Sequence, residues 1–157
     1  MIKHIKCNIF ESGADVICHQ VNCQGVMGSG IARQVREKFP NVYNNYVKNC
    51  NYFHEDTSKL LGCIQVDSIN EKQKIVNLYA QNTFGYDGKR YTDYSALKNC
   101  LCGVCNHFID SNYTIAFPYL MSCDRGGGSW DIVYEMIEEI FKDYDGDILI
   151  CEYKENN

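Results

Sequence analysis

Asn22-Cys23-Gln24-Gly25-Val26-Met27-Gly28-Ser29-Gly30 stands between a buried-looking strand over 15–21 and a helical pattern in which Ile31, Val35 and Phe39 recur at i, i+4 and i+8. A glycine-rich turn that leaves a strand and enters a helix lies where an α/β sheet opens its binding crevice. Its glycines let the backbone approach a ligand closely, and the helix start adds a partial positive charge. The chain contains a second such junction. Ser122-Cys123-Asp124-Arg125-Gly126-Gly127-Gly128-Ser129 follows a strand over 113–117 and precedes a helix carrying Ile132, Val133, Met136, Ile137, Ile140 and Phe141 on one side. Six of the twelve glycines fall in these two loops. Glycine turns are commonly just turns, but a pair at strand-to-helix junctions is better explained by one phosphate-rich ligand lying between them.

Outward from these loops, strand and helix periods alternate. Strands are expected over 3–7, 62–66, 75–80 and 148–153, with a polar turn at 67–74. The helix from about Gly30 is ended or interrupted by Pro40, and a short one follows through Val42, Tyr43, Tyr46, Val47 and Cys50. Residues 81–91, with Gly85 and Gly88, read as a loop. Thr92 is the candidate N-cap of a long helix whose face is Tyr94, Leu97, Leu101, Val104 and Phe108. This rhythm predicts a three-layer α/β/α fold, with residues 1–157 as one domain.

The 157 residues, 45% hydrophobic and 22% charged, have the balance of a globular chain that needs no disulfide or metal staple. The longest apolar run, 115–121, contains Pro118 and is far short of the roughly 20 residues a membrane helix requires. With no signal peptide visible after Met1, a cytoplasmic protein is expected. A net charge of −5 argues against a nucleic-acid partner held by a basic face. A single diphosphate is a different matter, because oriented backbone N–H groups and helix starts can hold it without Lys or Arg.

The ten cysteines read as reduced core thiols. Cys100, Cys102 and Cys105 lie inside a helical pattern without a second Cys-x-x-Cys, so no metal and no cofactor are expected. Three nucleotide and phosphate signatures fail. Arg33 stands where a dinucleotide fingerprint needs its third glycine, no glycine run leads into Lys and Ser/Thr, and Ser129 stands where a Cys-x5-Arg phosphatase loop would place Arg.

At this point the residues resemble a known family. His19 through Ala32 is similar to the first ligand loop of macro domains, in the branch of ADP-ribose-1''-phosphate phosphatases and terminal ADP-ribose–protein glycohydrolases. Pro118-Tyr119 through Trp130 resembles that branch's second, diphosphate-binding loop. Cys7-Asn8-Ile9-Phe10 resembles the segment after its first strand, and Asn77-Leu78-Tyr79-Ala80-Gln81 with Arg90-Tyr91-Thr92 a further one. The resemblance implies a mixed, roughly six-stranded sheet and an ADP-ribose cleft at its crest. It implies ligand contacts from Asn8, Ile9, Asn22, Gly25, Val26, Met27, Gly28, Ser29, Gly30, Gln81, Ser122, Cys123, Arg125, Gly126, Gly127, Gly128 and Tyr153. The partner would be ADP-ribose or an ADP-ribosylated molecule. The activity would be hydrolysis at its distal end, at a 1''-phosphate or an ADP-ribosyl linkage, or recognition without catalysis. A glycine-looped domain for another nucleotide is the remaining possibility.

Two departures stand out. Asn8 occupies the position where macro domains place an Asp against the adenine amino group; its amide oxygen would still accept that hydrogen bond, without the charge. Gln81 stands at the position of the glycohydrolase lysine nucleophile, and Gln cannot form a covalent sugar intermediate. Gly126 falls near the second-loop Asp of those enzymes, with Asp124 two residues earlier. His19 and Asp124 are thus the acid/base candidates. His19 is otherwise a structural residue under the loop, and Asp124 a loop Asp bonding its own backbone. Asn22 would orient the distal ribose or cap the turn. Arg125 would meet phosphate or form a surface ion pair, and Tyr153 would stack on adenine or sit exposed. Trp130 reads as a core anchor. Tyr86, Lys89 and Arg90 lie in a loop that would close over the cleft or stay solvated.

Overall fold

The computed structural model describes residues 1–154. Six strands and four α-helices follow one another in the chain: β1 (Ile2–Lys6), β2 (Val16–Asn22), α1 (Gly30–Lys38), α2 (Pro40–Tyr52), β3 (Ile64–Ser68), β4 (Lys74–Gln81), α3 (Tyr94–Phe108), β5 (Ile115–Pro118), α4 (Trp130–Ile140) and β6 (Ile148–Glu152). The strands form one mixed sheet in the order β1-β6-β5-β2-β4-β3. Every pairing is parallel except β3 with β4, which is antiparallel.

The central strands β2, β4 and β5 are buried along nearly their whole length, as strands covered on both faces must be. Alternation divides their side chains between two cores. Ile17, Val21, Ile75 and Tyr79 pack with Val35 of α1 and Val42, Tyr46 and Cys50 of α2. Val16, Cys18, Val76 and Leu78 pack with α3 and α4 through Leu97, Leu101, Val104, Val133 and Ile137. The sheet is therefore the middle of three layers. Among the described residues no helix is long and apolar enough to cross a membrane.

Several boundaries move from their expected places. Pro40 opens α2 at its first turn, where a missing N–H costs nothing, so α1 and α2 are separated only by Phe39. The α3 cap is Asp93 instead of Thr92: its carboxylate accepts from Ala96 N–H at 2.9 Å. Thr92 Oγ1 is already committed, donating to Ser122 O at 3.0 Å and accepting from Gln20 Nε2 at 2.8 Å. The three helical cysteines serve different walls. Cys100 Sγ donates to Cys63 O and Cys105 Sγ to Ile140 O, and both residues are buried while Cys102 is only half-buried.

Candidate functional site

The carboxyl ends of β2, β4 and β5 meet at one edge of the sheet, and the two glycine-rich loops rise from it. Between them lies a cleft of two chambers. The first, of about 560 Å³, is floored by His19, Gln20, Val21, Asn22 and Gln81. It is walled by Val26, Gly28, Ser29 and Gly30 of the first loop and by residues 118–126 of the second. The other chamber, of about 480 Å³, takes in Asn8, Ile9, Phe10, Cys151 and Tyr153. Gly30, Ile31, Pro118, Tyr119 and Leu120 line both, so the start of α1 and the beginning of the second loop form the shared wall.

The first loop is held by its own asparagine. Asn22 Nδ2 donates to Val26 O at 2.8 Å, its Oδ1 accepts from Gln24 N–H at 2.9 Å, and the buried Tyr46 hydroxyl lies 2.7 Å from the same oxygen. Asn22 is thus a turn cap that also faces the chamber. Truncation of Tyr46 to Phe removes the buried hydroxyl from Asn22 O and Oδ1, which it approaches at 2.8 and 2.7 Å. The expected loss of stability is about 1–2 kcal/mol, measured by urea denaturation. Gly25 and Met27 line neither chamber: Met27 is buried beneath the loop and Gly25 makes its left-handed bend at φ 79°.

The second loop is braced against the segment after β4. Gly126 O accepts from both Tyr91 N–H and Thr92 N–H, at 2.8 and 2.9 Å. Gly128 N–H donates to Ser122 O at 2.8 Å, and Leu120 and Ser122 adopt left-handed backbone angles of 62° and 73°. Such angles in residues with a side chain persist only where surrounding bonds over-determine them. Gly127 and Gly128 shape this loop from behind without lining the cleft. The Arg125 guanidinium lies over the Tyr86 ring at 4.4 Å, joining the loop to a wall made by Phe84, Gly85 and Tyr86. Arg90 instead stacks on Tyr94 at 4.5 Å, and Lys89 pairs with Asp87 at 3.7 Å. Trp130, the first residue of α4, packs edge-on against Tyr119 at 5.3 Å and is half-buried against the core between the sheet, α3 and α4.

Gln20 was not among the residues singled out from the sequence, yet it ties the floor together. Its Nε2 donates to Gln81 Oε1 and Thr92 Oγ1, both at 2.8 Å, and its Oε1 accepts from Ser122 Oγ at 2.5 Å. The signal was there: a glutamine in the middle of an otherwise buried strand needs partners. Gln81 is spent in the same network, with its Nε2 donating to Thr83 O at 2.9 Å.

His19 is 2% exposed, with Nε2 2.5 Å from Asn77 Oδ1 on β4, directly opposite in the sheet register. Nδ1 of His19 and Nδ2 of Asn77 have no hydrogen-bond partner among the described residues. Burial disfavours the imidazolium and outweighs the Asn77 bond, pushing the His19 pKa down to about 4. At neutral pH it is a neutral ring with a bare nitrogen, able to take a proton but holding no extra one to give. The half-buried Cys123 thiol is pushed up to about 11 by desolvation, so it is no thiolate nucleophile. Asp124, exposed at the rim, is the carboxylate of the first chamber.

Both helices entering the cleft begin at a serine whose side chain makes no cap bond. The two starts are not equivalent. The first turn of α4 carries Asp131, whereas α1 has no acidic residue there, so α1 presents the better field to an anion.

Residues 18–137 match the family profile described as Macro domain. The chain belongs to the Macro domain family. Among solved structures, the macrodomain of Thermus aquaticus DarG superposes with a TM-score of 0.77 at 23% identity, covering 99% of both chains. Thermosipho africanus DarTG in complex with ADP-ribose superposes at 0.78 and 18% identity, over 99% of this macro domain and 42% of that chain. In sequence, a DNA ADP-ribosyl glycohydrolase of Thermus aquaticus is 27% identical over 99% of this chain and 42% of its own length. An ADP-ribose 1''-phosphate phosphatase of Saccharomyces cerevisiae is 25% identical over 98% of both. The first three curated relatives are spanned over only 42%, 39% and 37% of their lengths. The mixed six-stranded sheet expected from the resemblance is the observed one.

Proposed function

We propose that this macro domain binds ADP-ribose, or the ADP-ribosyl end of a modified molecule, and hydrolyses it at the distal end. The observation that carries the reading is the continuous two-chamber cleft. Its narrow shared wall is the uncapped start of α1, with a base-sized recess at Asn8 and Tyr153 on one side and a polar floor on the other. A ligand with a base at one end, a sugar at the other and a diphosphate between would place its charge on α1's free N–H groups. The contacts of Val26, Gly28, Ser29, Gly30, Ser122, Cys123, Arg125 and Gly126 with that ligand belong to this proposal.

Removal of a 1''-phosphate is the favoured reaction. Among the described residues the first chamber has no lysine to form a covalent sugar adduct, with Gln81 bonded on both ends of its amide. His19 would serve as base and Asp124 would hold the water or the distal ribose. A carrier that is itself a nucleic acid fits this scheme, as the name of the Thermus aquaticus relative suggests. Such a carrier would be gripped through its ADP-ribosyl group and not by a basic face. A reader without catalysis is the second reading, favoured by the neutral, enclosed His19.

Titration calorimetry should give a heat of binding with ADP-ribose and much weaker heats with AMP and NAD. Phosphate release from ADP-ribose 1''-phosphate should fall about 100-fold or more in His19→Ala. Turnover that survives in the variant removes His19 from the mechanism, no turnover in the wild type selects the reader, and no binding of ADP-ribose sinks both.

A further inference from the structure

We propose that Asn8 sets the base preference of the second chamber, so that it accepts a 6-oxopurine at least as well as adenine. The inference rests on the nucleotide-binding function proposed above and concerns only which base edge the recess fits. Asn8 follows β1 and caps a short 3-10 turn, Ile9–Glu11. Its Oδ1 accepts from Phe10 N–H at 3.0 Å, which identifies the oxygen side of the amide. The end of the amide that the turn leaves unbonded is therefore Nδ2, with two N–H donors and no lone pair. A carboxylate in the same place would cap Phe10 with one oxygen and turn its other oxygen, a second acceptor, toward the chamber. The amide reverses the polarity of what the base meets. Purines differ at this edge: adenine carries a 6-amino donor, hypoxanthine and guanine a 6-oxo acceptor. Donor facing donor loses a hydrogen bond, and donor facing the 6-oxo group makes one.

The two residues that follow Asn8 bring no side-chain acceptor of their own. Ile9 is buried and Phe10 packs against Phe39 with ring centroids 6.0 Å apart. Glu37 accepts from Arg33 Nε at 3.1 Å. Burial and the neighbouring Cys7 push the Cys151 thiol up to about 12, so it stays protonated. Tyr153, 55% exposed, offers a ring face that is indifferent to the 6-substituent. Glu152, on the exposed last residue of β6, is the one carboxylate of the chamber without an ion-pair partner among the described residues.

The test is paired calorimetric titration of one protein preparation with ADP-ribose and with its hypoxanthine analogue, IDP-ribose. Wild type should bind IDP-ribose at least as tightly. Asn8→Asp should move the ratio of the two affinities about tenfold toward ADP-ribose. Aspartate is as good a cap as asparagine, so this variant keeps the turn, and a ratio within one protein is insensitive to the fraction folded. A wild-type preference for ADP-ribose, or a ratio that Asn8→Asp leaves unmoved, overturns the proposal. Binding of neither nucleotide by wild type overturns it together with the function on which it rests.

Discussion

Gly127→Ala is expected to destabilise the protein by about 3 kcal/mol and to disorder the second loop. Gly127 has φ 67°, a region that a side chain adopts only at a cost of about 1–2 kcal/mol. Its Cβ would also stand 2.6 Å from Lys89 O and 2.9 Å from Arg90 Cα. These are backbone atoms, fixed by the bonds from Tyr91 and Thr92 to Gly126 O, so neither can swing aside as a side chain would. For a chain of this length the loss corresponds to a melting temperature about 10 °C lower, read by calorimetry or circular dichroism. Gly13→Ala separates the two causes. Gly13 has a similar φ of 76° but nothing within 4 Å of a Cβ, so it should show the backbone strain alone. Equal losses in the two variants would mean that the contact with Lys89 and Arg90 contributes nothing. The second loop would then owe its shape to its own glycines and not to the segment behind it.

The second large effect follows from His19. The ring titrates near 6.5 in the unfolded chain and near 4 in the folded one, so between these values the unfolded state binds the proton better. The contribution of the neutral buried ring is whole above pH 6.5, declines as the pH falls, and is lost by pH 4. The difference amounts to about 3 kcal/mol. Surface carboxylates add their own acid dependence, so the measurement is a comparison. His19→Gln, which cannot take the proton, should have an acid limb shallower than wild type by that amount in urea denaturation between pH 7 and pH 4. Parallel limbs would mean that His19 is hydrated in the folded protein, and its reading as an enclosed neutral base would fail. The same titration bears on chemistry: a rate that depends on neutral His19 should persist to pH values well below 6.

Much of this architecture is written locally. The alternation of β2, α1, β4, α3, β5 and α4 follows from side-chain periods of two and near four, and these are properties of neighbouring residues. Both glycine loops were legible for the same reason, since a close backbone turn leaves its mark in the residues that make it. What failed locally was the assignment of partners. Thr92 looks like a cap until Ser122 and Gln20 claim its hydroxyl, after which Asp93 takes the role. Asn8 reads from the sequence as a ligand residue, and in the fold its oxygen also caps the turn at Phe10 N–H. Each is a competition between a local bond and a distant one, decided by geometry that spacing does not contain.

By itself, the sequence determined that the chain would build an α/β sheet with two glycine-rich strand-to-helix junctions. The tertiary structure alone decided which side chains stand around the cleft. Register places His19 against Asn77, 58 residues away, and Gln20 beside Gln81, Thr92 and Ser122. The physical reason is that secondary structure is governed by periods within one segment. Hydrogen-bond partnership, burial and the resulting proton affinity depend on which segments the sheet brings side by side.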